Sequence, residues 1–173
     1  MAILYLIRHG EPEIRGFFPG SQDPPLTVRG KEEVRTTLSS LTVSVVYTSP
    51  ARRARETAGC VAASRLIELP GLREINYGLW SGLRWEEIGE RWSALAAAKC
   101  RDWLGVPAPD GEDWADVLSR AAEVLQIIRE APAASMAVVA HQGINAALIT
   151  LIDGRNPLEF VQLHGEVVRV ELD

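Results

Sequence analysis

The feature that most restricts the fold of this sequence is the alternation of short apolar runs with helical patterns. Residues 2–8, 43–47 and 135–140 are apolar at nearly every position, which is typical of strands buried on both faces of a sheet. A shorter run at 65–69 is predicted to be a further strand. Strands that alternate with helices favour a mainly parallel sheet covered on both faces. The sequence therefore predicts an α/β fold.

The segments around these runs have helical spacing of their apolar residues. We predict helices over 26–41, 51–64, 85–103, 114–130 and 144–152. Thr27 is expected near the start of the first helix, and Asp113 is expected to cap the fourth. Near the end of the chain, Val168, Val170 and Leu172 alternate with charged residues, which predicts a half-exposed strand at a sheet edge.

Composition excludes several classes of protein. The chain is 47% apolar and 24% charged, as in an ordinary globular domain, and it has no run of about 18 apolar residues. A net charge of −5 argues against a general nucleic-acid binder. Cys60 and Cys100 are too few for a disulfide scaffold or a cysteine-based zinc site. No signal peptide is visible, so we expect a cytoplasmic protein without a membrane or nucleic-acid partner.

Charged residues that could do chemistry follow the predicted strands. Arg8 and His9 end the first strand, His141 follows the fourth, and Arg52, Arg53 and Arg55 come shortly after the second. Glu74 follows the third in a glycine-containing loop. The carboxyl ends of parallel strands share one edge, where α/β proteins bind ligands. The sequence therefore predicts one site that collects two histidines, at least two arginines and a carboxylate.

This set of side chains suits phosphoryl transfer. Guanidinium groups bind tetrahedral oxyanions through paired hydrogen bonds. An imidazole can attack phosphorus to give a covalent intermediate, and a carboxylic acid can protonate the leaving oxygen and later deprotonate water. No phosphate-binding loop motif or metal-ligand spacing is present, so neither a metal nor a cofactor is needed to explain the charges.

Five segments in order resemble the histidine phosphatase superfamily, also called phosphoglycerate mutase-like. They are "RHGE" (8–11), "DPPLTVRG" (23–30), "TSPARRARETA" (48–58), "LREINYGLWSG" (72–82) and "VVAHQGIN" (138–145). The resemblance spans nearly the whole chain and implies a three-layer α/β/α sandwich, with a mainly parallel sheet and an antiparallel edge strand. It also implies a single domain over 1–173, in which residues 71–112 form a cap over the pocket.

The resemblance assigns a role to each candidate residue. His9 would be the nucleophile, Glu74 the acid and then the base, and Arg8, Arg53 and His141 would bind phosphoryl oxygens with help from Gln142. Gly10, Glu11 and Ser49 would contact these catalytic groups without touching the substrate. One nitrogen of His9 must be unprotonated for attack, so the other nitrogen must carry the proton and donate it in a hydrogen bond. The family resemblance implies that the acceptor is a backbone carbonyl near Gly10 to Gly16.

Several positions depart from the family pattern. Pro12, Arg15 and Ala51 replace residues that are common in the family, Gln142 replaces a glycine, and Ala146 stands where an arginine is expected. "HQGIN" is closer to the family's cobalamin-pathway phosphatases than to its glycolytic mutases. No core catalytic group is lost, but these departures mean that the resemblance does not assign a relative's substrate specificity to this chain.

The expected function is therefore a phosphomonoesterase for a small phosphorylated metabolite, with inorganic phosphate as product. A cofactor-dependent phosphoglycerate mutase shares every catalytic residue and is the alternative, and a non-catalytic phosphate-binding protein is the third hypothesis. A homodimer is left open. We expect Trp80, Trp85 and Trp114 to fill a core rather than line the pocket, and His164 to be structural or exposed.

Overall fold

The computed structural model describes residues 2–19 and 22–172, so Met1 and Asp173, the ends of the predicted domain, lie outside it. Five strands form the sheet: β1 (Ala2–Arg8), β2 (Thr42–Thr48), β3 (Ala62–Glu68), β4 (Ser135–Ala140) and β5 (Val167–Leu172). Six α-helices accompany them: α1 (Val28–Leu38), α2 (Arg52–Ala58), α3 (Trp85–Arg91), α4 (Ser93–Arg101), α5 (Trp114–Arg129) and α6 (Gln142–Asp153).

The sheet has the strand order β3-β2-β4-β1-β5. All pairs are parallel except that between β1 and β5, which is antiparallel. β1 and β4 lie side by side near the middle, and their registered pairs end at Arg8 and Ala140. The predicted α/β class, the mainly parallel sheet and the antiparallel edge strand are confirmed.

Helices cover both faces of the sheet. On one face, α5 and α6 pack against Leu4, Leu6 and Val138, with Ile128 and Leu148 fully buried between the layers. On the other face, Val34 and Leu38 of α1 and Ala54 of α2 pack against Val46 and Val139. This burial on both sides explains why the central strands are apolar at nearly every position.

Two predicted helices are wrong in extent. The helix expected over 51–64 ends at Ala58, and residues 62–68 instead form β3, paired with β2 and exposed along almost its whole length. The alanines and serine at 62–64 suggested a helix, but the free edge of β2 provides backbone hydrogen-bond partners that override this weak helical preference. The helix expected over 85–103 divides into α3 and α4 at Trp92, whose backbone leaves the helical region.

Residues 70–113, between β3 and α5, contain α3, α4 and two single-turn 3₁₀ helices, Pro70–Leu72 and Gly78–Trp80. Their apolar residues form a separate cluster around fully buried Trp80 and Ile88, with Trp85 and Trp92 packed against it. Trp80 and Trp85 are therefore core residues, as expected. Within the described part of the chain, no helix is long and apolar enough to cross a membrane.

Candidate active site

A pocket lies at the carboxyl edge of the parallel strands. Its volume is about 170 Å³. It is lined by five of the side chains that the sequence singled out, Arg8, His9, Arg53, Glu74 and His141. Arg8 and His9 end β1, His141 precedes α6, and Arg53 lies in the first turn of α2 with only 9% of its surface exposed. The topology therefore brings together groups that are far apart in the sequence.

Hydrogen bonds fix the tautomer of His9. Its Nδ1 lies 2.7 Å from the carbonyl oxygen of Gly10, which can only accept, so Nδ1 carries the proton. The other nitrogen, Nε2, accepts a hydrogen bond from Nε of Arg53 at 3.2 Å. Nε2 therefore has an unshared electron pair that faces the pocket arginine, which is the state required of a nucleophile. The Gly10 backbone N–H is in turn held by Thr57 Oγ1 at 2.9 Å.

Arg53 lies between the two histidines. Besides its bond to His9, its Nη2 lies 3.3 Å from Nδ1 of His141, and Nε2 of His141 lies 2.8 Å from Oγ of Ser49. Since the guanidinium can only donate, Nδ1 of His141 accepts and Nε2 donates to Ser49. Gly10 and Ser49, which were predicted to support these groups, each form a hydrogen bond with one histidine. The Gly10 carbonyl fixes the tautomer of His9, whereas Arg53 fixes that of His141.

Burial and positive neighbours keep the histidines neutral. Burial lowers the pKa of the His9 imidazole to about 3, and the Arg53 guanidinium adds to the shift. For His141, burial and the proximity of His9 and Arg53 hold the pKa well below its ordinary value. Burial also lowers the pKa of Arg8 and Arg53, while the nearby Glu74 carboxylate opposes that shift. The pocket thus combines neutral imidazoles with arginines that remain charged.

Arg8 is oriented by a network of amide side chains behind the pocket. Its Nη1 donates to the backbone carbonyl of Gln162 at 2.6 Å, whereas its buried Nε has no hydrogen-bond partner among the described residues. The Gln162 side chain is fully buried and bonded to Leu6 and Asn145, and its backbone N–H donates to Gln142. Sequence reasoning gave no role to Gln162, which lies outside the motif segments, or to Asn145, which ends the segment 138–145, because buried amide contacts leave no pattern in the sequence.

Gln142 differs from the expectation that it binds phosphate. Its side chain bonds the carbonyl of Phe160 and the N–H of Gln162, on the far side of Arg8, and it does not line the phosphate pocket. Its backbone N–H belongs to the first residue of α6, where no carbonyl within the helix can pair with it. Only this backbone group stays a candidate for phosphate binding.

Glu74 is fixed by backbone groups from two directions. Its carboxylate accepts from the N–H of Ile75 at 2.9 Å and from the N–H of Gly143 at 3.2 Å. A side chain at position 143 would place its Cβ 2.5 Å from Glu74 Oε1, so glycine is required for this approach. Arg120 of α5 clamps the loop from behind by donating to the carbonyls of Gly71, Arg73 and Glu74 while pairing with Glu112.

His164 also lines the pocket, although no motif around it in the sequence indicated this. It is exposed, as expected, and its ring centroid lies 5.4 Å from that of His9. Burial and the Arg8 charge lower its pKa to about 4, against the opposing effect of Glu11. All three histidines of the chain therefore line one pocket. The available signal was β5: because this strand is antiparallel, the residues just before it lie at the catalytic edge.

The remaining charged candidates serve other contacts. Glu11 pairs with Arg15 and accepts from Thr27 Oγ1 at 3.1 Å, so it joins the loop after β1 to the start of α1. Arg52 pairs with Glu56, and its backbone N–H donates to Asp23. Arg55 lies 3.8 Å from Glu68. Of the three arginines of α2, only Arg53 lines the pocket.

The family is decided by comparison with known proteins. A model of the Histidine phosphatase superfamily (branch 1) matches residues 4–172. The chain belongs to this superfamily. It is 31% identical to the 2,3-bisphosphoglycerate-dependent phosphoglycerate mutase of Bartonella henselae, in an alignment that covers 91% of this chain and 84% of the relative.

Other members of the histidine phosphatase superfamily are also similar. The chain is 29% identical to the adenosylcobalamin/alpha-ribazole phosphatase of Escherichia coli K12, over 87% of this chain and 79% of that protein. The crystal structure of the alpha-ribazole phosphatase from Shigella flexneri superposes with a TM-score of 0.88 at 25% identity, over 99% of this chain and 91% of that chain. The resemblance of the sequence motifs to this superfamily is confirmed, and both phosphatases and mutases are among its relatives.

Proposed function

We propose that this protein hydrolyses phosphomonoesters of small metabolites through a phosphohistidine at His9. The observation that carries the proposal is the Gly10 carbonyl, which holds the proton of His9 on Nδ1 and leaves Nε2 unprotonated, with its lone pair toward Arg53. Around this nitrogen the pocket combines two arginines, a second neutral histidine and a carboxyl group. These are the parts that phosphoryl transfer to an imidazole requires.

In the first step, Nε2 of His9 attacks phosphorus, and the bond between phosphorus and the alcohol oxygen breaks. Arg53 must exchange its bonds to the two histidines for bonds to phosphoryl oxygens, which frees the attacking lone pair at the moment of binding. The unpaired Nε of Arg8 offers a further donor. Glu74 in its acid form gives its proton to the departing oxygen, and the neutral alcohol leaves.

In the second step, water attacks the phosphohistidine. Glu74, now a carboxylate, takes the proton from that water as the new oxygen–phosphorus bond forms and the nitrogen–phosphorus bond breaks. Inorganic phosphate leaves, and both His9 and Glu74 return to their starting states. Proton transfer in both steps relies on the backbone contacts of Ile75 and Gly143, which hold the carboxyl group in place.

A phosphoglycerate mutase is the second candidate, since a mutase is among the relatives with the same motifs. A mutase must retain an anionic product and return the phosphoryl group to it, which calls for cations beyond the phosphate site. In the stretch 76–109, Arg91 pairs with Glu87, and Lys99 donates to the Val106 carbonyl beside Trp103. Arg84 lies over the Phe17 ring. Arg15, the residue of the first loop that could supply one contact to such an anion, lines the phosphate pocket and pairs with Glu11. Together these engagements favour release of product and attack by water.

The test compares hydrolysis with transfer. Purified protein should release phosphate from p-nitrophenyl phosphate, and turnover should persist in EDTA because the charged arginines Arg8 and Arg53 supply the positive charge. With 3-phosphoglycerate and catalytic 2,3-bisphosphoglycerate, phosphorus NMR should show inorganic phosphate before any 2-phosphoglycerate. Faster appearance of 2-phosphoglycerate would overturn hydrolysis in favour of the mutase, and loss of turnover in EDTA that zinc or magnesium restores would contradict the metal-free mechanism.

Two further expectations belong with this proposal. Residues 71–112 would act as a cap, since Glu74 and Gly82 from this stretch line the phosphate pocket. The partner would be a small phosphorylated metabolite in the cytoplasm. Light scattering on the purified protein would decide between a monomer and a homodimer.

A further inference from the structure

A second cavity continues from the phosphate pocket. Its volume is about 450 Å³, and it shares Arg8, Phe17, Pro19 and Glu74 with that pocket. His9, Arg53 and His141 do not line it. We call this cavity the apolar groove. Its walls include six large apolar side chains from three parts of the chain, Trp103, Leu104, Trp114, Leu158, Phe160 and Val161. The expectation that Trp114 is only a core residue is therefore incomplete.

The chemistry of the apolar groove differs from that of the phosphate pocket. Among the described residues, the charged side chains that line it are Arg8 and Glu74, both of which also line the phosphate pocket. Leu158 and Val161 are 56% and 69% exposed, so among the described residues the groove presents apolar surface to solvent. Exposed apolar surface that continues into a polar pocket is typical of a ligand site.

Helix α6 provides the small residues of the groove. Gly143 and Ala146 are one helical turn apart and both line it. Position 146 is where the family pattern places an arginine, so this chain lacks both the bulk and the positive charge of that side chain. At this position the wall of the groove is therefore small and uncharged.

We propose that the apolar groove holds the alcohol portion of the substrate, and that this portion is a neutral, apolar body such as an alkyl chain or an aromatic ring. The inference rests on the proposed function, because it follows from where the leaving oxygen must lie. Glu74 protonates that oxygen, and Glu74 lines the phosphate pocket and the groove. Glu74 also lines a third cavity, which charged and polar side chains such as Asp23, Arg73 and Asn76 make polar, so an apolar carbon skeleton attached to the oxygen is directed into the groove instead. Among the described residues, the cation that lines the groove is Arg8, which also lines the phosphate pocket, so a small anionic acid would find no separate cation there.

The experiment compares phosphomonoesters that differ only in apolar length. We expect kcat/KM to rise by about tenfold from ethyl phosphate to hexyl phosphate, since each fully buried methylene strengthens binding roughly fourfold and the groove is partly open to solvent. 3-Phosphoglycerate should be poorer than hexyl phosphate. In a second measurement by calorimetry, hexylphosphonate should bind about tenfold more tightly than ethylphosphonate, which tests the groove without any turnover.

Matched variants test whether the dependence of kcat/KM on chain length arises in the apolar groove. Leu158→Ser and Val161→Ser should each lower the hexyl-to-ethyl ratio of kcat/KM by about threefold. Leu66→Ser makes the same change at a leucine that is 51% exposed on β3, away from the groove, and should leave the ratio unchanged. Because the ratio is measured within one preparation, a fraction of unfolded protein does not alter it.

Failure of the groove assignment and failure of the proposed phosphatase activity would give different results. Equal affinities for the two phosphonates, together with turnover of p-nitrophenyl phosphate, would overturn the groove assignment and leave the phosphatase standing. Tighter binding of hexylphosphonate without any hydrolysis would support the groove but contradict the proposed activity. A dimer that Leu158→Ser dissociates, with an unchanged chain-length ratio, would assign the groove to a second copy of this chain and overturn the proposal.

Discussion

At the scale of single residues, His9 shows how a common side chain becomes a nucleophile. Its Nδ1 proton is held by the Gly10 carbonyl, and its Nε2 accepts from Arg53. A free imidazole would be partly protonated near neutral pH, but burial and the arginine charge lower the pKa of His9 to about 3. The residue is therefore uncharged over the whole physiological range, with one nitrogen available for attack.

This pKa shift predicts how stability depends on pH. His9 is neutral in the folded protein down to about pH 3, whereas in the unfolded chain it binds a proton below about pH 6.5. The unfolded state thus binds more protons between these values, and the free energy of unfolding falls as the pH is lowered through this window. Between pH 7 and 4.5 the loss due to His9 should be about 2 kcal/mol.

Urea unfolding of the wild type and of His9→Asn at both pH values isolates this contribution. Asparagine does not titrate, so the variant should lose about 2 kcal/mol less than the wild type on acidification. Equal losses in the two proteins would mean that the pKa of His9 is the same in the folded and unfolded states, and that the imidazole is not held neutral by the pocket.

Glu74 is the second residue whose role predicts a measurable asymmetry. Its proton is needed when the leaving oxygen is a basic alkoxide and much less when it is a stabilised phenolate. Glu74→Gln should therefore reduce kcat for ethyl phosphate by about 100-fold or more, and for p-nitrophenyl phosphate much less. Equal losses on both substrates would leave Glu74 as a positioning residue only.

At the scale of secondary-structure elements, the loop that carries Glu74 is held by helix α5. Arg120 donates to three carbonyls of the loop 71–74 and pairs with Glu112, with its side chain only 18% exposed. This fork of donors cannot be reproduced by a single ammonium group. The position of Glu74 therefore depends on α5, a helix that contributes no side chain to the phosphate pocket.

Replacement of Arg120 tests this coupling. Arg120→Lys keeps the charge but breaks the bonds to most of the carbonyls, and it should lower kcat for ethyl phosphate by about tenfold. The effect on p-nitrophenyl phosphate should be smaller, since Glu74 matters less there. Arg129→Lys, at an exposed position of the same helix, is the matched control. A uniform loss on both substrates would indicate a general loss of fold rather than displacement of Glu74.

At the scale of the whole molecule, topology explains what could be predicted from the sequence. Buried parallel strands are apolar throughout, so β1, β2 and β4 were recognisable, and the residues at and after their carboxyl ends include Arg8, His9 and His141. The choice of Arg53 over Arg52 and Arg55 came from the resemblance to the family motif. β3 was placed too late because an exposed edge strand is held by backbone pairing with β2 rather than by an apolar pattern. Trp92 divides a helix that periodicity alone predicts as continuous.

The parts of the site that sequence reasoning missed depend on long-range packing. His164 reaches the pocket because β5 runs antiparallel to β1. Gln162 and Asn145 orient Arg8 through buried amide contacts between the loop before β5 and helix α6. His164 and Gln162 lie outside the motif segments, and Asn145 ends the segment 138–145 without any pattern that indicates its partners. Only the assembled fold shows what these residues contact.

The central claim is that His9 forms the covalent bond to phosphorus. Rapid quenching of the enzyme with ³²P-labelled substrate tests it directly, since a phosphohistidine is labile in acid and stable in base. We predict a base-stable labelled protein in the wild type that is absent in His9→Ala. In Glu74→Gln the label should persist for longer, because the base that activates water is missing. A base-stable adduct that still forms in His9→Ala would contradict the account.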